Sequence, residues 1–332
     1  MAFADVEKSR QAAFRASSDT ISEAARTPND AASRRHKYLL AKGYETENLM
    51  PSLRSIAPAF FAAREIKWWR SPASGDAGRS KAPTRNMASS QVACVNALLP
   101  LAEQPQTLAQ LLAQLDSDVV GVEPIEYSCY GTKLSSAVEF EWVGLTASLE
   151  GEGVTTRGAK VTSADALVVG RVRGGGQRAY LMEWKYLERY SGKDKGAGQK
   201  GKTRRARYQS LFAGDDSPFD QAVPMEELLF DPFYQLMRML LLGARMVRER
   251  ELGVSDYRVV AVCPEGNLAY RNGITSDALA RRFRSAATVE DIMRGVLREP
   301  KRFQLVSPRV LFDRVTNGPT GWREYVEARY GW

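Results

Sequence analysis

Histidine is nearly absent: His36 is the only one in 332 residues. That shortage excludes HNH-type nucleases, H-E-x-x-H proteases and most Ser-His-Asp hydrolases, each of which needs an imidazole as base or metal ligand. Cysteine is scarce too. Cys94, Cys129 and Cys263 are odd in number and widely spaced. They make neither a disulfide framework nor a C-x-x-C zinc knuckle, and they read as reduced core thiols. No apolar run approaches the roughly 18 residues that a membrane span needs, so no membrane partner is expected. The amino terminus lacks the apolar core of a signal peptide, and a cytoplasmic location is expected. Catalysis in such a chain has to rest on carboxylates, lysine and a bound metal.

What the chain does have is basic charge. Lys and Arg number 47 against 39 Asp and Glu, a net charge of +8. A polyanionic partner suits that balance, because each phosphate neutralised releases condensed counterions. The hydrophobic share of 44% and charged share of 26% are ordinary for a globular protein. The length suffices for one large core or two modest ones.

Residues 1 to 35 are rich in Ala, Ser, Arg and Asp and predict a frayed helix or a disordered arm. From Lys37 to Trp69 apolar residues recur at helical spacing, broken at Gly43 and Pro51, which predicts two short helices. The Gly/Pro/Ser-rich stretch 71–84 reads as a loop. A helix follows, capped by Ser89 or Ser90 and running to about Pro100, and then another over 107–116.

The period then changes to two. In AVEFEWVG, Val138, Phe140 and Trp142 fall on one face, Glu139 and Glu141 on the other. SADALVVG and AYLMEWKYLE are the next strands, joined by a turn containing Gly174, Gly175 and Gly176. A long helix opens at Asp231-Pro232, with the acid as cap and proline at the first helical position. DYRVVAVCPEG is a buried strand, most easily parallel to its neighbours after the helical crossover. One more strand is expected in FQLVSPRVLF, and no internal repeat is found. The expected core is therefore helix, three meandering strands, helix, strand. The domain reading is a helical extension over 1–85, partly flexible, a core over 86–270, and a helical and strand addition over 271–332.

Residues two apart share a face of a strand. Glu183 and Lys185 therefore point one way in an otherwise apolar strand, while Met182, Trp184 and Tyr186 point the other. Charges there have a desolvation cost unless something compensates. Folding the hairpin about Gly175 sets Asp165 opposite Lys185 and one step diagonal to Glu183. Two carboxylates that close repel, unless one keeps a proton or a cation sits between them. Mg²⁺ or Mn²⁺ is the natural cation for oxygen ligands.

Asp165 followed by Glu183-Trp184-Lys185 on the next strand resembles the PD-(D/E)XK motif of the restriction-endonuclease-like nucleases. The strings PTRNMASSQVACVN, EFEW, RGAKVTSADA, EWKYLE and FYQLMRMLLL are similar to a bacterial branch of that superfamily. The resemblance implies a mixed α/β (α+β) fold with an αβββαβ core. It implies that Asp165, Glu183 and the backbone carbonyl of Trp184 ligate the metal, and that Lys185 serves the attacking water. A further acid comes from Glu139 or Glu141, Glu141 being preferred, and Gln235 matches a helix glutamine of some relatives. The motif's proline is Ala164 here. Two other E-x-K triplets occur, Glu65 to Lys67 in a helical pattern and Glu299 to Lys301 around a proline, and neither has a strand context.

After the E-x-K strand, GAGQKGKT fits G-x-x-x-x-G-K-[ST], the phosphate loop of ATPases. The charged spacer from Ser191 to Lys195 separates it from the strand, and no Walker B aspartate follows, so the ATPase reading is weak. Composition favours a mobile, positive loop over 191–207 instead. Its Lys193, Lys195, Lys200, Lys202, Arg204, Arg205 and Arg207 are candidate phosphate contacts. The function read from the sequence is a metal-dependent nuclease acting on DNA, RNA not being set aside, with a homodimer possible because cutting both strands takes two centres. The alternative is a nucleic-acid-binding protein with a degenerate nuclease fold.

Overall fold

The computed structural model describes residues 2–70, 73, 78–129, 131–150 and 161–332. Part of the 71–84 loop lies outside the described residues, as does the stretch 157–160 of the string RGAKVTSADA. The helices used below are α1 (Phe3–Ser17), α2 (Ile56–Ala63), α3 (Ser90–Leu98), α4 (Pro105–Ala113), α5 (Gly198–Ala213), α6 (Phe233–Arg248) and α7 (Trp322–Tyr330). The strands begin with β1 (Trp68–Arg70), β2 (Gly78–Ser80), β3 (Val119–Glu123), β4 (Ile125–Cys129) and β5 (Thr132–Ser136). They continue with β6 (Glu139–Trp142), β7 (Ala164–Val172), β8 (Gln177–Trp184), β9 (Asp256–Val262) and β10 (Phe303–Val306).

One mixed sheet holds the molecule together, in the order β10-β9-β8-β7-β3, with β6 also paired to β7. Strand β7 is long enough for two partners on one edge. β6 takes its first half, pairing Glu139 with Leu167, and β3 takes its second, pairing Glu123 with Val169. β7 and β8 are antiparallel, while β9 lies parallel to β8 and β10 parallel to β9. The expected helix, three strands, helix, parallel strand order is present as α3, β6, β7, β8, α6 and β9. α4, β3 and the β4–β5 hairpin are inserted between α3 and β6.

Strands β7 and β8 read as nearly continuous apolar runs because helices cover both faces of the sheet. Ala166, Val168, Tyr180, Met182 and Trp184 pack into one core with residues of α3 and α4. Leu167, Val169, Ala179 and Leu181 alternate with them and pack into a second core with α6. Each large apolar side chain so buried stabilises the fold by about 2 kcal/mol. α6 lies close on β9 because position 243 is glycine: a Cβ there would stand 2.2 Å from the Tyr257 ring.

Four local expectations change. The first helix, α1, is a packed element. Its Gln11 bonds the Tyr186 hydroxyl and the Arg329 carbonyl, and its Phe14 meets Tyr325 of α7 edge-on. The polar composition of that segment hid a buried polar network. The 37–69 stretch contains α2, but Trp68 and Trp69 leave helical geometry for β1, so the triplet Glu65 to Lys67 lies in the connection, with Glu65 at φ 52°. The alternation of EFEW also fails. Glu141 has φ 48°, a left-handed conformation, and Phe140 and Trp142 end in opposite cores. Asp231, finally, does not cap α6, because its carboxylate holds Lys195 at 2.6 Å.

Candidate active site

By the parity of β7 and β8, Asp165 and Glu183 face the α6 side of the sheet. The ladder pairs Ala166 with Met182 and Leu167 with Leu181. Carried one step on, it sets Asp165 opposite Glu183, not opposite Lys185. The hairpin therefore turns about Gly174, one residue earlier than expected. Because the register moves by two, each side chain keeps its face, and the three charged groups still meet. Lys185 Nζ lies 2.5 Å from Glu183 Oε1, and the backbone N–H of Trp184 donates to Asp165 Oδ2 at 2.7 Å. The Trp184 indole points away, into an aromatic cluster with Phe312 and Trp332. Only its backbone faces the acids.

Glu141, Asp165, Glu183, Lys185 and Gln235 line one cavity of about 410 Å³. The two acids of β6 have separate fates. Glu139 is committed to structure: the Arg64 guanidinium pairs with it at 2.8 Å and the Tyr127 hydroxyl donates to it at 2.9 Å. Glu141 is turned into the cavity by its left-handed backbone, where it accepts from Gln91 Nε2 at 2.9 Å and Ser163 Oγ at 3.1 Å. A non-glycine residue held there costs about 1–3 kcal/mol, a strain that tends to persist at functional sites. Gln235 is half-buried in the first turn of α6. Its Oε1 accepts from the Tyr190 hydroxyl at 3.1 Å, which leaves its amide N–H groups for the cavity.

Burial sets the electrostatics. Glu183 is 6% exposed and Lys185 8%. Burial, then the neighbouring Glu183, push the Asp165 carboxyl well above its ordinary range, against the pull of Lys185. Burial also raises Glu141, although hydrogen bonds from Ser163, Gln91 and Trp69 oppose it. For Lys185, burial favours loss of the proton, but Glu183, Tyr190 and Asp165 outweigh it and hold the ammonium above its ordinary range. The cavity floor thus gathers more carboxyl groups than cations, and crowding makes Asp165 and Glu141 hold their protons more tightly than free carboxyls do. Among the described residues no three acidic, histidine or cysteine side chains form a ready-made metal cluster. Two carboxylates do present free oxygens: Asp165 Oδ1 and Glu183 Oε2 make no hydrogen bond among those residues. This donor set, all oxygen and rich in charge, fits a hard divalent cation completed by water or phosphate.

Trp69, Gln91, Ser163 and Arg238 are among the cavity-wall residues not found from the sequence. Each is ordinary in its local context, and only the fold brings them to the acids. The basic stretch is also reshaped. Residues from Gly198 on form α5, whose buried Gly201, Tyr208 and Phe212 make a thin helical stripe. The expected loop shrinks to the residues before Gly198. Lys193, Lys200 and Lys202 are exposed, while Lys195, Arg204, Arg205 and Arg207 are half-buried. Arg204 bonds the Lys195 carbonyl at 2.6 Å, and Arg207 lies 4.0 Å from Glu150. The glycines of GAGQKGKT serve packing. A Cβ on Gly201 would stand 1.7 Å from the Gly196 carbonyl oxygen, so the two backbones touch where a phosphate loop would open.

A mixed sheet of this order, with acids and a lysine gathered on its central hairpin, defines a restriction-endonuclease-like protein. More particularly, the chain belongs to the family described as restriction endonuclease associating with ARP, which matches residues 8–331. No curated protein and no solved structure matches the chain. The membership makes it a nuclease by class, with nucleic acid as substrate. No helix among the described residues is long and apolar enough to cross a membrane.

Proposed function

We propose that the protein is a metal-dependent DNA endonuclease that hydrolyses phosphodiester bonds with Asp165, Glu183 and Lys185 at its centre. The observation that carries this is the meeting of those three side chains in one cavity, with an oxygen on each acid unbonded among the described residues. Asp165 and Glu183, together with the Trp184 carbonyl, would hold Mg²⁺ or Mn²⁺. Such an ion supplies Lewis-acid activation of the phosphate and of the attacking water.

The chain's own groups do the rest. Lys185, kept charged by Glu183 and Asp165, offers N–H donors that orient the attacking water or stabilise charge on the scissile phosphate. Glu141, fixed by Gln91 and Ser163, is a third acid available to a proton or a cation. Gln235 presents its amide N–H groups to a phosphate oxygen. The exposed Lys193, Lys200 and Lys202 supply phosphate contacts at longer range. The family's description also attaches these endonucleases to a partner, ARP, and association with it belongs to the same reading.

The test is incubation of the purified protein with plasmid in Mg²⁺, then in EDTA, then with Glu183→Ala. Cleavage should require the metal and Glu183. Cleavage that survives both treatments refutes the mechanism. Binding without cleavage by the wild type favours a non-catalytic nucleic-acid-binding protein on the same fold.

A further inference from the structure

We propose that the mouth of the acid cavity seats one unstacked nucleotide, with its base on the indole of Trp69 and its phosphate on the guanidinium of Arg238. This rests on the nuclease reading and adds the substrate class to it: a single strand, or a duplex opened at the cut.

The first observation is Trp69. Five of the six tryptophans, Trp68, Trp142, Trp184, Trp322 and Trp332, are buried, whereas Trp69 is 39% exposed and lines the acid cavity. An indole left in water loses the main reason for having one. Its position is nevertheless firmly set. The Trp69 backbone N–H donates to Gln91 Oε1 at 2.8 Å, and the same glutamine's Nε2 bonds Glu141. The indole side chain stabilises the charged form of Glu141, and the Arg79 guanidinium lies 4.8 Å from the ring centroid. A rigid aromatic surface tied to an acid of the site is a preorganised stacking platform.

The second observation is Arg238, on α6 in the same cavity wall. A guanidinium has five N–H donors. Among the described residues, Nε is buried without a partner, and Nη1 has one long bond of 3.4 Å to the Thr162 hydroxyl. The group is held 4.8 Å from the ring of Tyr234, which also carries Arg204 of the basic helix at 5.5 Å. An under-satisfied cation beside free carboxylate oxygens lacks an acceptor, and a phosphate oxygen supplies one.

The third is depth. Glu183 and Lys185 lie on the floor, nearly closed off from solvent. Inside a duplex each base is stacked on both faces and each phosphate is fixed on a convex rail. Neither reaches a platform and a floor together unless the nucleotide leaves the stack.

The experiment measures affinity by fluorescence anisotropy in EDTA, and cleavage in Mg²⁺, for a labelled single strand, its blunt duplex and the duplex with a central unpaired bubble. Trp69→Ala should weaken single-strand and bubble binding about 5- to 150-fold and leave the blunt duplex unchanged, while Trp69→Phe, which keeps the stacking face but loses the N–H, should stay near wild type. Arg238→Gln should lower the slope of log affinity against log salt by about 0.7 on the single strand. The proposal is overturned if the blunt duplex is the preferred substrate, or if Trp69→Ala, or Arg238→Gln should Trp69→Ala not fold, leaves single-strand binding within about twofold. The nuclease reading fails separately, by cleavage that persists in Glu183→Gln, and the binding arms remain readable in that case.

Discussion

Asp165→Asn should make the metal-free protein more stable, and the size of the gain can be worked from the site. In the unfolded chain an aspartate loses its proton near pH 3.9. In the folded protein burial and Glu183, with Glu141 behind them, keep the Asp165 proton on to much higher pH against the pull of Lys185. Between those two pKa values the folded state binds the extra proton, so its stability falls as pH rises. The limit is about 1.4 kcal/mol per pH unit for one group. Below about pH 3.9 both states are protonated and nothing is lost. Water reaching the half-buried carboxylate screens part of the effect, so about 1–3 kcal/mol is expected at pH 6. Asparagine keeps an acceptor for the Trp184 N–H, and packing is preserved.

The assay is thermal denaturation in EDTA from pH 4 to 8. Wild type and variant should melt together near pH 4, and the variant should melt about 2–6 °C higher at pH 6, at about 2 °C per kcal/mol for a chain of this size. Adding Mg²⁺ at ten times its dissociation constant should then stabilise the wild type by about 1.4 kcal/mol and the variant far less. If the variant is less stable than the wild type at pH 6, and Mg²⁺ moves neither melting curve, the acids are not in conflict and the cation site is not there.

Two further outcomes test the basic segment. Gly201→Ala should cost about 3 kcal/mol or more, because the new methyl meets the Gly196 backbone rather than a side chain that can move. An unchanged urea midpoint, or a rise in melting temperature with ATP, would restore the phosphate-loop reading. Replacing exposed Lys200 and Lys202 with Ala should reduce the slope of log affinity against log salt on duplex DNA by about 0.9 for each phosphate no longer neutralised. An anisotropy titration in NaCl measures it, and an unchanged slope would leave α5 as a solvated helix.

The fold and the centre of the site were legible because both follow from a period of two. Glu183 and Lys185 stand out as charges in an apolar strand, and the upstream Asp165 shares their face in either register, since a slip of two residues preserves parity. Glu141 resisted the same logic. Its alternation predicts the face of Glu139, and only a left-handed backbone sends the two acids to different partners, Arg64 for one and the cavity for the other. α5 was hidden because three buried positions among sixteen leave a stripe too thin to read under five basic residues. Trp69 and Arg238 left no local signal at all. A tryptophan beside another tryptophan reads as core, and an arginine in an amphipathic helix reads as its wet face. What distinguishes them is that Gln91 fixes one and Tyr234 the other at the wall of the same cavity. The contacts among residues 69, 91 and 141, and the place of residue 238 in the same cavity wall, are products of the sheet's topology. The charged residues proposed for the chemistry therefore announce themselves in the chain, while those proposed to seat the nucleotide emerge only once the chain has folded around them.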